Sequence, residues 1–457
     1  MKTISFDTIV WGIAAGLGLM IGGLVLLGNR GEIGPGVKNN SVYPANGSSP
    51  STTTEIHIDF GEPMNVQSVQ SNFVTQPALQ GQMRWDGNTF IFKPDRPLLS
   101  HQTYTAILLS GAKNKTGISS IQPLKWSFQP RLPSIIYLPS DQLDPETLHV
   151  ISQDGKAARL LQAAPAPIMN FALSPDGSQI ALALLREDGR SELWLMDAET
   201  GKNQKLIGCA PSSCSNPIWS PDGKLLAFER NEPTPNHTTG SKRIWLYELA
   251  SKQSAPVFQD NQILGYYPTW SPDGKRLAFV DENEASIRVT DLVTHAAFLI
   301  PSGVLTNAGS FSPDGMQLVY SKLVSAGSQF MLQLWLAHLD ASLSQAPLLK
   351  TSEMFQDSLP TWSPDGGWIA FLRRQPGPGQ NAQVMLYNLS TTDLTQVTKE
   401  MDTDNTGLAW DLTGQHLLIQ RSKSNGAATI SQIWSYDAAS GRLAQVIDNA
   451  LQGLWLP

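Results

Sequence analysis

The chain has 457 residues, 41% of them hydrophobic, and a formal net charge of −7 at pH 7. This length allows two or three domains, and the hydrophobic content argues against a largely disordered chain. No lysine-rich or arginine-rich run occurs, so the basic patch or stripe of a nucleic-acid-binding protein is missing and we expect no nucleic-acid partner.

The N-terminal region contains an apolar run of 21 residues, Thr8 to Gly28, without a charged side chain. A helix of this length can cross the hydrocarbon core of a membrane. A cleaved signal peptide is the alternative, but the run is long and no A-x-A-like site follows it. The sequence predicts a short N-terminal segment (1–7), a transmembrane signal-anchor helix (8–28) and a Gly- and Asn-rich linker (29–41). The flanking charges do not decide the orientation of the helix.

Residues 42–130 show the pattern of a small antiparallel β-sandwich. TEIHIDF (Thr54 to Phe60) alternates apolar and polar residues, and MRWDGNTFIFKP (Met83 to Pro94) places Asp-Gly between two strand-like runs, as in a hairpin. Three more stretches complete the set: FGEPMN (Phe60 to Asn65), TYTAILLSGAKNKTG (Thr103 to Gly117) and WSF (Trp126 to Phe128). Together these motifs resemble the bacterial Ig-like domain of the SbsA type. The resemblance implies a spacer or adhesive module without catalytic residues.

Residues 135–457 are repetitive. Six copies of a turn motif, most of them W-S-P-D-G or F-S-P-D-G, end at glycines 41 to 51 residues apart: Gly177, Gly223, Gly274, Gly315, Gly366 and Gly414. Three strand-like runs follow each glycine, so each repeat predicts four strands, A to D, as in a propeller blade. Within the motif, proline presets φ and glycine supplies the positive φ that closes strand A onto strand B. A motif that recurs in six repeats, five of them with both Ser and Asp, predicts a turn and not a catalytic site.

The two ends of the repeat region complement each other. Residues 135–162 match strands B, C and D without a strand A, and residues 453–457 match a strand A with nothing after it. Pairing the ends would complete one more blade and leave no open sheet edge. The repeats resemble the TolB-type, WD-repeat-like propeller, with departures in ALSPDG, SFSPDG and WDLTG. The sequence therefore predicts an all-β protein with an Ig-like β-sandwich (42–130), a seven-bladed β-propeller (135–457; six blades are the alternative) and one N-terminal transmembrane helix.

The loops between strands B and C differ from repeat to repeat, whereas the A–B turns are nearly constant. Because function tends to lie on loops displayed by a rigid scaffold, we expect the binding surface on the B–C loops, the D–A connections and the channel mouth. Near the end of strand B most repeats carry a cation, which predicts a mostly basic circle for an acidic peptide or anionic polymer. The alternative is that charges at strand ends only keep hydrophobic strands in solution. Seven residues after the turn glycine stand Arg230, Asp281, Lys322, Arg373 and Arg421, and the first repeat has Arg186 two residues later.

Other residues are predicted at the lip of the channel, in the D–A connections: Tyr266, Tyr267, Asp357, Asp402 and Asp404. The stretch DTDNTG, which begins at Asp402, resembles the start of a calcium loop. Its twelfth position is Thr413 and not Glu, so an EF-hand is not indicated and a solvated acidic loop is the default expectation.

The two cysteines, Cys209 and Cys214, lie in the stretch CAPSSC without a further Cys or His at zinc spacing. We expect a disulfide on the oxidising side of a membrane, with two free thiols as the alternative. The seven histidines form no metal-binding motif, and no G-x-S-x-G elbow occurs. The sequence thus predicts no metal, no cofactor and no catalytic residue.

The function predicted from the sequence is non-catalytic. An extracytoplasmic propeller at the cell surface or in the periplasm would bind another envelope protein or a surface polymer. A metal-dependent polysaccharide lyase of propeller type is one alternative, but the strand A stretches PTWS, GSFS and GLAW offer no His or carboxylate to the channel. A sensor module of an envelope signalling system is the other. The step from fold to function rests on analogy.

Overall fold

The computed structural model describes residues 37–100, 102–120, 122–140, 144–155, 158–233, 239–303, 307–326, 329–340, 342–349, 355–377, 379–424 and 429–456. The segment 1–7 and the apolar run 8–28 lie outside these ranges, so the predicted signal-anchor helix is not described. Within the ranges, no helix combines the length and the apolar character that crossing a membrane requires.

The chain divides into two compact units. Of the described residues, the first contains those up to Ser48 together with Glu55–Asp95 and Thr103–Gln129; the second contains those of Ser49–Thr54, Arg96–Gln102 and Pro130–Pro457. The two short stretches assigned to the second unit interrupt the first in sequence.

The first unit is a β-sandwich with one short helix. Its elements are β1 (Val37–Tyr43), β2 (Ile56–Phe60), α1 (Val66–Asn72), β3 (Phe73–Gln76), β4 (Gly81–Asp86), β5 (Thr89–Pro94), β6 (Tyr104–Leu108) and β7 (Leu124–Phe128). One sheet has the order β1-β2-β5-β4 and the other the order β3-β6-β7. The predicted Asp-Gly hairpin joins β4 to β5, with Asp86 opposite Thr89 and Gly87 at φ +57°.

Two elements of the first unit differ from the sequence prediction. Strand β1 begins at Val37, inside the stretch predicted to be a linker, because it pairs with β2 through backbone hydrogen bonds that need no apolar side chains. Helix α1 was not predicted. It begins after Asn65, whose side chain caps it by accepting the Ser68 N–H, and it buries Val69.

The second unit consists of antiparallel four-stranded units. The described strands are β8 (Ser134–Pro139), β9 (His149–Ser152), β10 (Ala158–Leu160), β11 (Ile168–Leu173), β12 (Gln179–Leu185), β13 (Ser191–Asp197), β14 (Asn203–Ile207), β15 (Ser213–Trp219), β16 (Leu225–Pro233), β17 (Thr239–Glu248), β18 (Gln253–Pro256), β19 (Gly265–Trp270), β20 (Arg276–Asp281), β21 (Ser286–Asp291), β22 (Ala297–Pro301), β23 (Ser310–Phe311), β24 (Gln317–Ala326), β25 (Gln329–His338), β26 (Gln345–Pro347), β27 (Gln356–Trp362), β28 (Trp368–Arg374), β29 (Gln383–Asn388), β30 (Leu394–Gln396), β31 (Thr403–Trp410), β32 (His416–Ser424), β33 (Thr429–Asp437), β34 (Arg442–Asp448) and β35 (Ala450–Leu456).

Four of the sheets follow the chain in order: β11–β14, β15–β18, β19–β22 and β31–β34. Strands β23–β30 form one eight-stranded sheet, in which a single parallel pair, Leu332 with Gln356, joins two four-stranded halves. The remaining sheet has the order β10-β9-β8-β35. It pairs strands from opposite ends of the repeat region, as the sequence predicts, with Trp455 opposite Ile135.

The recurring Ser-Pro-Asp-Gly motif forms a turn between strands A and B. In the turn that ends at Gly274 (φ +70°), the Ser271 hydroxyl donates to the Asp273 carboxylate at 2.6 Å. Ser271 Oγ also accepts the Arg276 N–H, and Asp273 accepts the Lys275 N–H. The hydroxyl and the carboxylate are therefore held within the turn by local hydrogen bonds, as the sequence pattern predicts.

The divergent turn DLTG preserves this geometry with the roles exchanged. Asp411 stands where the other turns have Ser, and its carboxylate accepts the Gln415 and His416 N–H groups. The Thr413 hydroxyl donates to Asp411 at 2.6 Å. A hydroxyl–carboxylate pair two residues apart thus closes this turn as well.

Tryptophans connect successive A strands, which we call the inner strands (β11, β15, β19, β23, β27, β31 and β35). The indole N–H of each of four tryptophans donates to a carbonyl of the preceding inner strand: Trp219 to Ala172, Trp270 to Ile218, Trp410 to Thr361 and Trp455 to Ala409, over 3.1 to 3.4 Å. Gln452 of β35 donates to the Met169 carbonyl of β11 at 2.8 Å, so the last inner strand also bonds to the first.

Candidate functional site

Four inner strands share a backbone irregularity three residues before their tryptophan. Asn216, Tyr267, Leu359 and Gln452 have φ values of +50°, +53°, +48° and +52°, and the pairing register with the adjacent strand shifts at each of them. This left-handed conformation costs most residues with a Cβ about 1–2 kcal/mol, and asparagine less. Strain of this kind clusters at binding and active sites. The inner strands are therefore the part of the fold where a binding site is expected.

Two of these four residues line a cavity of about 330 Å³, which we call the inner-strand cavity. It lies where β11, β15, β19 and the chain before β23 meet. Its wall consists of Asn170, Phe171, Asn216, Pro217, Ile218, Tyr267, Pro268, Thr269, Asn307, Ala308 and Gly309. In the part of the wall that the structure describes, the Tyr267 phenol is the one ionisable side chain, so this wall is polar but uncharged.

Asn170 and Asn216 form a reciprocal pair at this wall. The Asn216 backbone N–H donates to Asn170 Oδ1 at 3.1 Å, and Asn170 Nδ2 donates to Asn216 Oδ1 at 3.0 Å. Because a backbone N–H can only donate, the first bond fixes which end of the Asn170 amide is oxygen, and the second then fixes Asn216. In the described part of the chain, Asn216 Nδ2 makes no hydrogen bond.

Tyr267 is held at the wall by a buried acid. The Tyr267 backbone N–H donates to Glu229 Oε1 at 2.8 Å, and Lys242 Nζ lies 2.6 Å from Glu229 Oε2. Glu229 is 1% exposed, whereas the Tyr267 side chain is 45% exposed. Its ring meets Tyr266 edge-on, with centroids 5.2 Å apart. The strained residue thus presents an open aromatic ring on a rigid support.

A second cavity, of about 470 Å³, lies along β31, β35 and β11. Its wall includes Phe171, Thr406, Leu418, Gln420 and Gln452, and likewise contains no charged side chain. Phe171 belongs to both cavities, so uncharged surface extends along several neighbouring inner strands.

The cations predicted to form a basic circle have aromatic or acidic partners within the protein. Three of them stack on an aromatic ring of the neighbouring strand: Arg230 on Trp245, Lys322 on Trp335 and Arg421 on Trp434, at 4.1 to 4.5 Å from the ring centroid. Such cation–π contacts stabilise the sheet locally. Arg230 also pairs with Glu232, and Arg186 pairs with Asp188 in the B–C loop.

Two of these arginines are buried, and each is paired with an acid. Arg373 donates two hydrogen bonds of 2.7 Å to Asp357, and Arg421 lies 2.7 Å from Glu400. The exposed fractions of Arg373 and Arg421 are 9% and 2%. Burial raises the pKa of Asp357, and Arg373 opposes that rise. Anion binding by the circle stays a prediction, but in this structure these two guanidinium groups already have internal partners.

The other predicted lip residues are scattered. Asp402 pairs with Lys423, and Asp404 pairs with Arg374 and accepts the Ala382 N–H. The hydrogen bond from Lys423 lowers the pKa of Asp402. Tyr266 packs against a hydrophobic cluster, and burial together with nearby acids raises its pKa. Of the residues proposed from the sequence, Tyr267 alone lines the inner-strand cavity.

Cys209 and Cys214 form a disulfide, with their Cα atoms 6.0 Å apart. Both residues are fully buried in a hydrophobic cluster between neighbouring sheets. Within the ranges given above, no group of three or more His, Cys, Asp or Glu side chains is arranged to hold a metal ion.

The cavity residues Asn170, Asn216, Asn307 and Gln452 were not singled out from the sequence. The sequence does contain a signal for three of the four positive-φ positions, two of which line the inner-strand cavity. The stretches NPIW, YPTW and LPTW place Asn216, Tyr267 and Leu359 before a proline and three residues before tryptophan. The pattern marks the position, but the direction in which its side chain points is known only from the backbone.

Repeated four-stranded antiparallel sheets, inner strands linked by tryptophan and paired chain ends define the second unit as propeller-like, and the first unit is an Ig-like sandwich. The chain belongs to the TolB beta propeller domain family, whose model matches residues 125–279 and 255–451. A bacterial Ig-like domain model matches residues 32–129. Both resemblances inferred from the sequence are thereby confirmed.

Comparison with solved structures returns many chains of low identity. TolB from Acinetobacter baumannii is 15% identical, with a TM-score of 0.44, 93% of this chain and 99% of that chain covered. An oligogalacturonate lyase in complex with manganese is 17% identical (TM-score 0.44; 56% and 72% covered). A puromycin-hydrolyzing peptidase of Mycobacterium tuberculosis is 16% identical (TM-score 0.49; 70% and 54% covered). Among curated proteins, no match is found.

Proposed function

We propose that this protein is a non-catalytic binding protein of the cell envelope, and that its seven-bladed propeller holds a partner at the inner-strand cavity. The observation that carries the proposal is the strain at Asn216 and Tyr267. Two residues with side chains adopt positive φ at equivalent positions, and both face one cavity. Glycine would fill these positions without strain, so the side chains themselves are the feature that a binding role explains.

An envelope location is supported by several independent features. The disulfide between Cys209 and Cys214 suits an oxidising compartment. The family of the first unit, a bacterial Ig-like domain, resembles modules of cell-envelope proteins. In the proposal, the apolar run Thr8 to Gly28 serves as the membrane anchor and the two units lie on the extracytoplasmic side.

The binding site is tested by photocrosslinking in intact cells. The full chain, tagged after Pro457, would carry benzoylphenylalanine at Tyr267 or, as a matched control, at Met316, an exposed residue (47%) in an A–B turn. We expect a discrete adduct from position 267 and none from position 316. No adduct at 267, or equal adducts at both positions, would contradict the proposed site.

Location and blade number have separate tests. Protease treatment of the same cells is expected to remove the tagged propeller if it faces outward or, for a periplasmic protein, to do so only after the outer barrier is opened. Protection under both conditions would mean that the orientation is reversed. For the ring, crystals of the protein are expected to show seven-fold rather than six-fold pseudosymmetry.

A further inference from the structure

The inner-strand cavity is specific in its hydrogen-bonding chemistry. We propose that it binds an uncharged sugar residue of a glycan. This inference rests on the proposed function, because it names the ligand class of the same site.

The asparagine pair at the cavity wall has hydrogen-bond donors left over. Asn170 Oδ1 is occupied by the Asn216 N–H, and Asn216 Oδ1 is occupied by Asn170 Nδ2. Their carbonyl oxygens therefore already have donors, and Asn216 Nδ2 remains with two N–H donors. A peptide backbone segment is best met by an amide that offers both its oxygen and its nitrogen. A cluster with donors left over is best met by a ligand rich in oxygen acceptors, such as the hydroxyl and ring oxygens of a sugar.

The charge of the cavity wall narrows the class of ligand. Among the described residues that form the wall of this cavity there is no lysine, arginine, histidine, aspartate or glutamate. The charges that the structure ties to it are the buried Glu229 carboxylate behind Tyr267 and the Lys242 ammonium, and these two groups are paired with each other. A carboxylate, sulfate or phosphate ligand would lose its hydration without gaining a cationic partner. Neutral hexoses and N-acetylhexosamines fit this wall, whereas uronic acids do not.

The shape of the cavity suits a sugar ring. Tyr267 offers an aromatic ring that is 45% exposed, and its hydroxyl makes no hydrogen bond within the described ranges. A sugar ring has an apolar C–H face that packs on such a ring and a polar edge that reaches the hydroxyl and amide groups beside it. The volume of about 330 Å³ lies within the range of small-ligand sites. Positive φ at Asn216 and Tyr267 places the two recognition groups on the same wall.

The experiment is a glycan-array measurement with the full chain, followed by calorimetric titration. The array would present cellotetraose and the tetramer of N-acetylglucosamine as neutral probes, and tetragalacturonate as the anionic comparator. We expect retention of at least one neutral probe and none of tetragalacturonate. Tyr267→Gly and Asn216→Gly, which suit the left-handed backbone, are each expected to weaken retention at least tenfold.

The matched control is Thr392→Gly. Thr392 is also left-handed (φ +61°), but it is exposed in a turn between the outer strands β29 and β30, so its removal is expected to leave retention unchanged. The inference is overturned if the wild-type chain retains no neutral probe, if it prefers tetragalacturonate, or if both cavity variants retain the probe as well as Thr392→Gly does. A protein adduct from Tyr267 in cells without glycan retention would overturn this inference and leave the proposed function standing. Failure of both experiments would overturn both.

Discussion

The buried carboxylate of Glu229 accepts the backbone N–H of Tyr267 across two neighbouring four-stranded units, at 2.8 Å. The same carboxylate is paired with Lys242 on the adjacent strand of its own sheet. One side chain therefore joins two neighbouring sheets of the second unit, and it holds the strained backbone at which Tyr267 faces the inner-strand cavity. The stability of the ring and the geometry of the candidate site depend on the same contact.

Replacing Glu229 by alanine should destabilise the protein. The substitution leaves the Tyr267 N–H and the Lys242 ammonium without their acceptor, and we expect the free energy of unfolding to fall by about 2 kcal/mol. Urea denaturation measures the change. Glu232→Ala is the control, because this acid is half-exposed and its ion pair with Arg230 contributes less than about 1 kcal/mol. Equal losses in the two variants would show that the link to Tyr267 does not contribute.

Removing the side chain of Tyr267 should cost little stability. In Tyr267→Gly the Glu229 hydrogen bond remains and the left-handed strain is relieved, so we expect the free energy of unfolding to stay within about 1 kcal/mol of wild type. Tyr266→Gly is the matched control, because this neighbour packs into a hydrophobic cluster and should lose about 3 kcal/mol. A large loss in Tyr267→Gly would mean that the tyrosine is retained for packing and not for binding.

The indole N–H of the inner-strand tryptophans should contribute measurably to the closure of the ring. Trp219 donates to the Ala172 carbonyl, whereas Trp362, at the equivalent position, has no partner for its N–H in the described residues. Both side chains are almost fully buried. We therefore expect Trp219→Phe to destabilise the protein by about 1 kcal/mol more than Trp362→Phe does, as measured by urea denaturation. Identical losses would assign the whole effect to packing.

Acid should weaken the fold through the turn aspartates. Burial alone would raise the pKa of the Asp273 carboxyl, but hydrogen bonds from Ser271 and the Lys275 N–H outweigh it, and the pKa lies below its ordinary value of 3.8. Asp176, Asp222 and Asp314 are lowered in equivalent turns. A depressed carboxyl pKa stabilises the folded state above the unfolded value, and this contribution is lost as the pH falls through the folded value.

The urea concentration at the midpoint of unfolding, measured from pH 6 downward, should therefore decrease once the pH is below about 4. Asp273→Asn keeps a hydrogen-bond acceptor in the turn but cannot titrate, so its midpoint should depend less on pH than that of the wild type. The same slope in both proteins would exclude a contribution from this turn.

The disulfide between Cys209 and Cys214 should contribute modestly. Its two cysteines are five positions apart. Cross-linking so short a loop lowers the entropy of the unfolded chain and thereby raises the free energy of unfolding by about 2 kcal/mol. Reduction is expected to lower the free energy of unfolding by that amount. The double variant Cys209→Ala, Cys214→Ala provides the control, because its stability should not respond to the reductant. No response in the wild type would indicate strain that cancels the entropic gain.

Much of the fold could be predicted from the sequence, because the signals are local and repeated. A Ser-Pro-Asp-Gly turn needs only residues within five positions of one another, and five such turns together with the divergent DLTG turn mark six repeats. The pairing of β35 with β8 followed from an incomplete unit at each end of the repeats. Helix α1 and strand β1 were missed, since a seven-residue helix and a polar edge strand carry little apolar periodicity.

The candidate site was less accessible to this reasoning. Charge is visible in a sequence, so Arg373 and Arg421 attracted attention, yet both are buried beside an acid. Asn216 and Gln452 are ordinary polar residues in a sequence. The left-handed backbone at these two residues sets the direction of their side chains, and it occurs where the strand register shifts.

The sequence by itself determined the local elements of this protein: the turns, the four-strand repeat, the hairpin and the apolar run near the N-terminus. Each depends on the preferences of residues that are close together along the chain. Tertiary structure decided which side chains are satisfied by internal partners and which remain open to a ligand. That outcome depends on contacts between residues far apart in sequence, such as Glu229 with Tyr267 and Asn170 with Asn216, whose energies arise only when separate sheets pack together.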